Sequence, residues 1–288
     1  MENKELIKRL SNVRNMPTLS MVANNVINLT QNPDSTAFEI AEAISQDQVL
    51  ATKVLRTANS AYYGFPRKIT TINYAIVVLG MNNIKNIVLS TAIMNQFPNS
   101  DGDLLFDRTD FWKHSLLCGI ICKKISEHLG LKNAEEMFMC GLLHDFGKLI
   151  LDSFFHEEFI QALDLSKKES ITLMTAENKT FSFNHSGVGA LVLKKWRFPP
   201  ALVKAVEFHH FPEDSLNAFR TASIVHVADY LCRRIGIGSS GDTVLPQLNP
   251  KAFQLTELTS EQIKAMSVQI TKEFKTATGF LHEEEQAL

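Results

Sequence analysis

MFMCGLLHDFGKLI, at residues 137–150, sets two ionisable side chains, His144 and Asp145, inside an otherwise apolar helical run. A histidine and a carboxylate among Leu142, Leu143, Phe146 and Leu149 are both desolvated, and buried charge is tolerated only when it is paired, hydrogen-bonded or bound to a metal. Lys148 lies one helical turn on, four residues after His144 and three after Asp145, where it can meet an anion sitting between them. Gly141 and Gly147 bracket the pair and thin the helix surface, so that other backbone or a ligand can come close. On this fragment alone, a buried His-Asp-Lys network that fixes helix packing and a metal or phosphate site fit equally well.

Working outward, the chain reads as all-α. Strand signals are nearly absent, and the β-branched runs carry helical rather than alternating periodicity. In the first hundred residues, Asn32-Pro33-Asp34-Ser35 stops one helix and caps the next. QDQVLATKVLRTANSAYYGF places Val49, Val54, Leu55 and Ala58 at helical spacing, with Lys53 and Arg56 as the wet face. ITTINYAIVVLGMNNIKNIVLSTAI reads as two largely buried helices hinged at Gly80. The polar turn-rich patch from Pro98 to Asp103 is the expected linker.

Beyond it, residues 110–129 form a long helix ended by Gly130, and Asn184 caps a helix from His185 to Trp196. Pro199-Pro200 starts another, which ends at His209-His210 before Pro212. Residues 215–235 are helical, GIGSSGDTVLPQLNP is a flexible connector, and an amphipathic helix at 260–276 precedes an acidic tail. The expected division is an N-terminal helical regulatory subdomain at 1–100, a metal-site subdomain at 101–238, and a connector with a C-terminal helix at 239–288.

Composition narrows the class without naming a function. With 288 residues, 45% hydrophobic and 21% charged, the chain matches an ordinary soluble globular protein, and a net charge of -2 gives no drive toward nucleic acid or anionic membrane. Cys118, Cys122, Cys140 and Cys232 form no CxxC pair and suit reduced thiols. No stretch has the order of a signal peptide or the length of a membrane span, so a cytoplasmic location is expected.

The histidines are segregated. None lies in the first hundred residues, whereas the second block holds His114, His144, His185, His209, His210 and His226, with Asp110, Asp145 and Asp229 among them. Neutral imidazole is the commonest ligand for zinc and iron, and added carboxylates suit manganese or a mixed iron site. An adjacent His-Asp pair has a specific use, since one carboxylate can bridge two ions about 3.5–4 Å apart, the arrangement used for phosphate ester hydrolysis. His226 reads instead as a satisfied core or surface histidine, and His128, His156 and His282 as solvated.

These residues resemble a known family. His114, LLHDFGK around His144-Asp145, His185 in NHSGVGALVLKKW, His209-His210 and Asp229 in VHVADYL follow the order of the HD phosphohydrolase superfamily. ATKVLRTANSAYYGF with ITTINYAIVVLG is similar to the N-terminal region of HDOD proteins, the HD-related output domains of bacterial signalling. The resemblance covers roughly residues 13–235 and implies an all-helical fold, with an N-terminal bundle packed on an HD-type domain, and a role in signal transduction.

HDOD proteins are commonly described as having lost HD catalytic residues, and this sequence keeps them. By similarity to metal-binding HD proteins, including the HD-GYP phosphodiesterases, Asp110, His114, His144, Asp145, His185, His209, His210 and Asp229 fall on ligand positions. Asp145 and Lys148 fall on the catalytic positions, with Lys148 on the phosphate side. After His209-His210 the chain reads FPEDSL in place of the Gly-Tyr-Pro segment of the HD-GYP group. The resemblance therefore implies a regulatory module with one or two divalent ions (iron, manganese or zinc) and a signalling protein or nucleotide as partner. The alternative is a metal-dependent phosphohydrolase acting on a nucleotide or cyclic dinucleotide.

Overall fold

In a computed structural model, which describes residues 4–13, 16, 18–32, 34–60, 63, 65, 67–98 and 105–277, every regular element is a helix. The chain divides into two compact units, one of Met1–Met16 and Asn99–Ser267, the other of Pro17–Pro98 and Val268–Leu288. The expected linker patch from Asn99 to Asp103, the acidic tail and His282 lie outside the described residues.

After α1 (Lys4–Ser11), which groups with the larger unit, the smaller unit holds α2 (Met21–Gln31), α3 (Ala37–Ser45), α4 (Gln48–Ala58), α5 (Ile72–Leu79) and α6 (Met81–Gln96). Thr36 and Glu39 form a reciprocal capping box at the start of α3, the Glu39 amide donating to Thr36 Oγ1 at 3.3 Å and the Thr36 amide to Glu39 Oε2 at 2.7 Å. Asp47 caps α4 by accepting from the Leu50 amide. The buried stripe of α4 is Leu50, Val54 and Ala58. Val49, expected inside, is 65% exposed, because a stripe at four-residue steps from Val54 runs back to Leu50. Lys53, expected on the wet face, is half-buried and donates to Asn95 Oδ1 at 2.6 Å, while Arg56 is exposed. The hinge at Gly80 stands, with φ +83° between α5 and α6. After α4, Asn59 exchanges two 2.7 Å hydrogen bonds with the Ile69 backbone and pins the returning chain.

The larger unit contains α7 (Arg108–His128), α8 (Ala134–Leu143), α9 (Phe146–Phe154), α10 (His156–Glu169), α11 (Leu173–Phe181), α12 (His185–Lys195), α13 (Pro200–Phe208), a 3-10 turn (Pro212–Asp214), α14 (Phe219–Ile235) and α15 (Pro250–Leu255). A last helix, α16 (Ser260–Ala277), follows. α1 is tied to α10 by Arg9, whose guanidinium pairs with Glu158 at 2.6 Å and lies 4.7 Å from the Phe155 ring centre. α7 packs along α8 and α14, and α12 packs on α9 and α13. Phe111, Leu117, Ile121, Leu143, Phe146, Leu149 and Val206 fill the interior, each fully buried side chain contributing about 1.5–3 kcal/mol of apolar transfer. Arg108 pairs with Asp152 at 2.6 Å and ties the start of α7 to α9. All four cysteines are free thiols in the core of α7, α8 and α14.

Two expectations change. Residues 137–150 are not one helical run, because α8 ends at Leu143 and α9 begins at Phe146, leaving His144 and Asp145 at the corner. The corner turns both side chains to the same interior point, which an unbroken helix could not do for adjacent residues about 100° apart. The glycine-rich connector after α14 is pinned rather than loose: the Ser239 amide donates to Asp110 O, the Leu173 amide to Asp242 Oδ1, and the Asn249 amide to His226 Nε2. Asn249 then caps α15, with Pro250 at its first position.

Candidate metal centre

Five helix ends or faces converge on one buried point. α7 supplies His114, the α8–α9 corner His144 and Asp145, the first residue of α12 His185, the end of α13 His209 and His210, and α14 Asp229. Their side chains form two groups able to hold a cation. His114, His144 and Asp229 make one, and Asp145, His185, His209 and His210 the other, the ligand atoms of each lying within 4.8 Å of one another.

Asp145 joins the groups. Its Oδ2 lies 3.3 Å from His144 Nε2 and 3.9 Å from His114 Nε2, while its Oδ1 lies 3.2 Å from His185 Nε2 and 3.6 Å from His209 Nε2. Asp229 Oδ1 stands 3.1 Å from His114 Nε2 and 3.5 Å from His144 Nε2. Except for His210, which is half-buried, these side chains are almost wholly excluded from water.

The imidazoles are aimed by their other nitrogen. Nδ1 of His144 donates to Gly141 O at 2.7 Å and Nδ1 of His209 to Val206 O at 2.8 Å, a carbonyl being able only to accept. Burial pushes the pKa of His209 down to about 4, so its ring is neutral near pH 7 and Nε2 carries a lone pair. That lone pair faces a carboxylate oxygen, an arrangement that repels unless a cation lies between. Nε2 of His114, His144 and His209 and Oδ1 of Asp145 are buried without an aligned hydrogen-bond partner, although charged neighbours stand within ion-pair range. Four orphaned donor-set atoms facing one interior point fit a metal better than a closed hydrogen-bond network. The field has the matching sign. Burial opposes charge on His144, but the Asp145 carboxylate beside it raises its pKa well above the ordinary value. Burial likewise opposes charge on Asp145, yet His144 and Lys148 hold its carboxyl well below the usual range.

Asp110 is not brought into the cluster. Its side chain is 45% exposed and pairs with Lys113 at 2.9 Å, while its backbone carbonyl receives the Ser239 amide. Lys148 is present but fully buried and fully engaged, donating to Asp145 Oδ2 at 2.7 Å, Ser240 O at 3.0 Å and Asp242 Oδ2 at 3.2 Å. Those three acceptors match the three N–H groups of an ammonium. His226 is satisfied, Nδ1 donating to His209 O and Nε2 accepting from Asn249, so it fixes the backbone of a neighbour. Trp112 and Trp196 pack against Phe111 and Phe146 as core aromatics.

Three residues escape sequence reasoning. Glu177 of α11 is fully buried and grips His185 twice through Oε2, at 2.6 Å from Nδ1 and 2.9 Å from the amide nitrogen. Nothing in its helix pattern marks it. Arg233 pairs with Asp229 Oδ1 at 3.0 Å, and the four-residue spacing on one helix was a usable signal. Asp242 sits in the connector, where local pattern carries no information. Glu177→Gln should weaken metal binding by about ten- to a hundredfold, because the amide holds the imidazole less firmly and withdraws basicity from it. Titration calorimetry against zinc or manganese reads the loss, and an unchanged affinity would reduce Glu177 to a packing role.

The HDOD domain model matches residues 16–212. An HDOD domain protein of unknown function from Geobacter sulfurreducens superposes with a TM-score of 0.83 at 26% identity, covering 96% of this chain and 97% of that one. A Shewanella amazonensis protein provisionally assigned as a phosphohydrolase superposes with a TM-score of 0.76 at 24% identity, covering 96% and 98%, and shares the fold. Ribonuclease Y of Mycoplasma mycoides is 28% identical over 162 residues, 55% of this chain and 31% of that protein. The chain spans about a third of the length of the curated relatives it matches.

Proposed function

The chain belongs to the HDOD family, and from that premise we propose that it is a regulatory output module built around a site for two divalent transition-metal ions. The observation that carries this reading is the shared carboxylate: the two oxygens of Asp145 face separate ligand groups, in which Nε2 of His114, of His144 and of His209 lacks an aligned partner. His114, His144, Asp229 and Asp145 would hold one ion, and Asp145, His185, His209 and His210 the other. Imidazole with carboxylate suits iron, manganese or zinc. Such ions supply Lewis acidity and an activated water.

Regulation is favoured over turnover because Lys148, the cation expected to meet a phosphate, has its donors engaged within the fold. In this reading residues 1–100 act as the regulatory subdomain, residues 101–238 carry the metal site, and residues 239–288 are the connector and C-terminal helix. A signalling protein or a nucleotide is the partner, and the protein works in the cytoplasm. No helix among the described residues is long and apolar enough to cross a membrane. The second reading, a metal-dependent phosphohydrolase acting on a nucleotide or cyclic dinucleotide, is supported by the same bridging carboxylate, the arrangement of two-metal ester hydrolysis.

Elemental analysis of protein purified without chelators tests the site, with about two ions per chain expected and metal-free protein overturning it. A screen of nucleotides and cyclic dinucleotides with manganese or iron then separates the readings. Turnover that vanishes in folded Lys148→Ala protein would replace the module by the enzyme.

A further inference from the structure

Away from the metal-ligand cluster, the larger unit holds a cavity of about 430 Å³ under α1. That volume lies within the range of roughly 300–1,000 Å³ typical of small-molecule sites. Leu6 and Ile7 of α1 cover it, and Gly187, Ala190 and Leu191 of α12 with Val203 of α13 form its floor. Phe183 before α12 and Phe198 after it add aromatic carbon. Helix packing does not force the space. A Cβ at Gly187 would stand 3.6 Å from Leu6 Cδ2 and 3.9 Å from Asn184 Oδ1, which are ordinary contacts, so this glycine leaves room that the fold does not require. Gly189, on the opposite face of α12, is different, because a Cβ there would stand 3.0 Å from Gly147 N.

Charge around the cavity is asymmetric. Toward the turn between α12 and α13 it is bordered by two exposed lysines, Lys194 and Lys204, the latter one helical turn beyond Pro200. Pro199 offers no capping side chain to the first amides of α13, so the positive end of that helix adds to the same field. The carboxylate on the lining, Glu207, pairs with Lys204 at 2.7 Å, but the two side chains are 37% and 50% exposed, and an exposed pair of this kind is worth little and exchanges easily. At the start of α12 the polar groups satisfy one another: Asn184 Nδ2 donates to Asn178 Oδ1 at 3.2 Å, and Asn184 Oδ1 accepts the Gly187 amide at 3.2 Å. An apolar body with a single anionic head at the lysine end matches both the floor and the field.

We propose that this cavity is a binding site for a single-chain anionic amphiphile of the fatty-acid class, its chain lying on α12 and α13 under α1 and its carboxylate meeting Lys194 and Lys204. α1, the outer wall, is anchored by Arg9, which pairs with Glu158 at 2.6 Å and lies 4.7, 5.7 and 5.6 Å from the ring centres of Phe155, Phe181 and Phe183. Phe183 belongs both to that anchor and to the cavity lining, so an occupant that moves this ring acts on the hold of α1. The lining also adjoins the second ligand group: Asn178 follows Glu177, Asn184 precedes His185, and Glu207 stands two residues before His209. The site goes beyond the metal-centre reading and does not rest on it, since neither the floor nor the lysines belong to a ligand group.

The test is calorimetric titration of the full chain, chelated and metal-loaded, with dodecanoate below its micelle-forming concentration. About one dodecanoate per chain should bind in both forms. Ala190→Phe, which fills the cavity from its floor, should weaken binding at least about tenfold, because the chain loses its apolar seat. Lys194→Glu/Lys204→Glu should weaken it by a similar factor of about ten or more, by reversing the charge that meets the head group. Dodecanol, with the same chain and no charge, should bind wild type at least about tenfold more weakly than dodecanoate and be indifferent to the lysine changes. Absence of binding, uptake of many molecules per chain, equal dodecanoate affinity in wild type and folded Ala190→Phe protein, or dodecanol binding as tightly as dodecanoate overturns the proposal. Ala190 is buried, so if its variant fails to fold, Ile7→Trp decides, because Ile7 is 38% exposed and a larger ring there fills the same space from α1. Hydrogen exchange of residues 4–11 in wild type gives a further readout: slower exchange with dodecanoate supports a ligand held under α1, and unchanged exchange refutes it. Metal content of the same samples keeps the two readings apart, since metal-free wild type sinks the metal centre and leaves the dodecanoate result standing.

Discussion

Asp145→Ala should reduce bound metal to less than about a tenth of the wild-type content, with both ions lost together, because removing a bridging ligand acts on both halves of the centre. His209→Ala should instead leave one ion, since His114, His144 and Asp229 still form a group, with Asp145 Oδ2 beside it. Elemental analysis of the two variants side by side distinguishes a shared carboxylate from two independent sites. The substitution also acts on the apo fold. Lys148 is fully buried, and Asp145 and Asp242, in that order, raise its pKa against the downward push of burial. Removing Asp145 leaves that ammonium with Asp242 and a carbonyl, so the chelated variant should lose about 3 kcal/mol, the lower end of the range for breaking a buried pair. Denaturant melts in chelator measure it. A chelated Asp145→Ala protein as stable as the chelated wild type would show that Asp242 alone holds Lys148.

Gly147→Ala should destabilise the domain by about 3 kcal/mol or more, beyond the usual cost of an added methyl group, because the obstacle is backbone on the facing helix. A Cβ at Gly147 would overlap the His185 carbonyl oxygen and stand 2.7 Å from His185 C and 2.8 Å from Gly189 N. No rotamer change relieves that contact. α9 and α12 would have to separate, carrying Asp145 away from His185, so metal affinity should fall with stability. Thermal melts and metal titration on the same preparation check both. A variant that melts like wild type would mean that the two helices part without cost. Gly141→Ala offers a softer comparison, because a Cβ there would stand 2.7 Å from its nearest obstacles, Cys118 O and Cys122 Sγ, rather than overlapping them.

Much of this architecture was legible in the sequence because its signals are local. Asn184 with the apolar run behind it announced α12, and Gly80 announced the α5–α6 break. The histidines and aspartates of the cluster stood out because imidazoles in apolar helices need a partner, but it was the resemblance to metal-binding HD proteins that selected among them; six of the seven group members are buried. Asp110 shares a helical face with His114 by spacing, but periodicity does not say how far a face extends into the interior, and its carboxylate points toward Lys113. The α8–α9 corner was invisible because no proline marks it, and Gly141 and Gly147 lie inside α8 and α9 rather than at the break; tertiary packing breaks the helix. Glu177 and Asp242 reach their partners from 8 and 94 residues away, across separations that no local pattern encodes.

The buried thiols give the larger unit a chemical clock. Cys118 and Cys122 on α7, Cys140 on α8 and Cys232 on α14 are each at most 2% exposed, and they sit on three of the helices that carry the candidate ligands. A thiol-modifying reagent can reach them only when those helices part, so the rate of alkylation counts openings of that core. Mass spectrometry would report each helix separately, without an introduced label. The same shelter means that oxidants spare these cysteines while the core is closed and attack them first once it opens, which makes unfolding difficult to reverse in an oxidising solution.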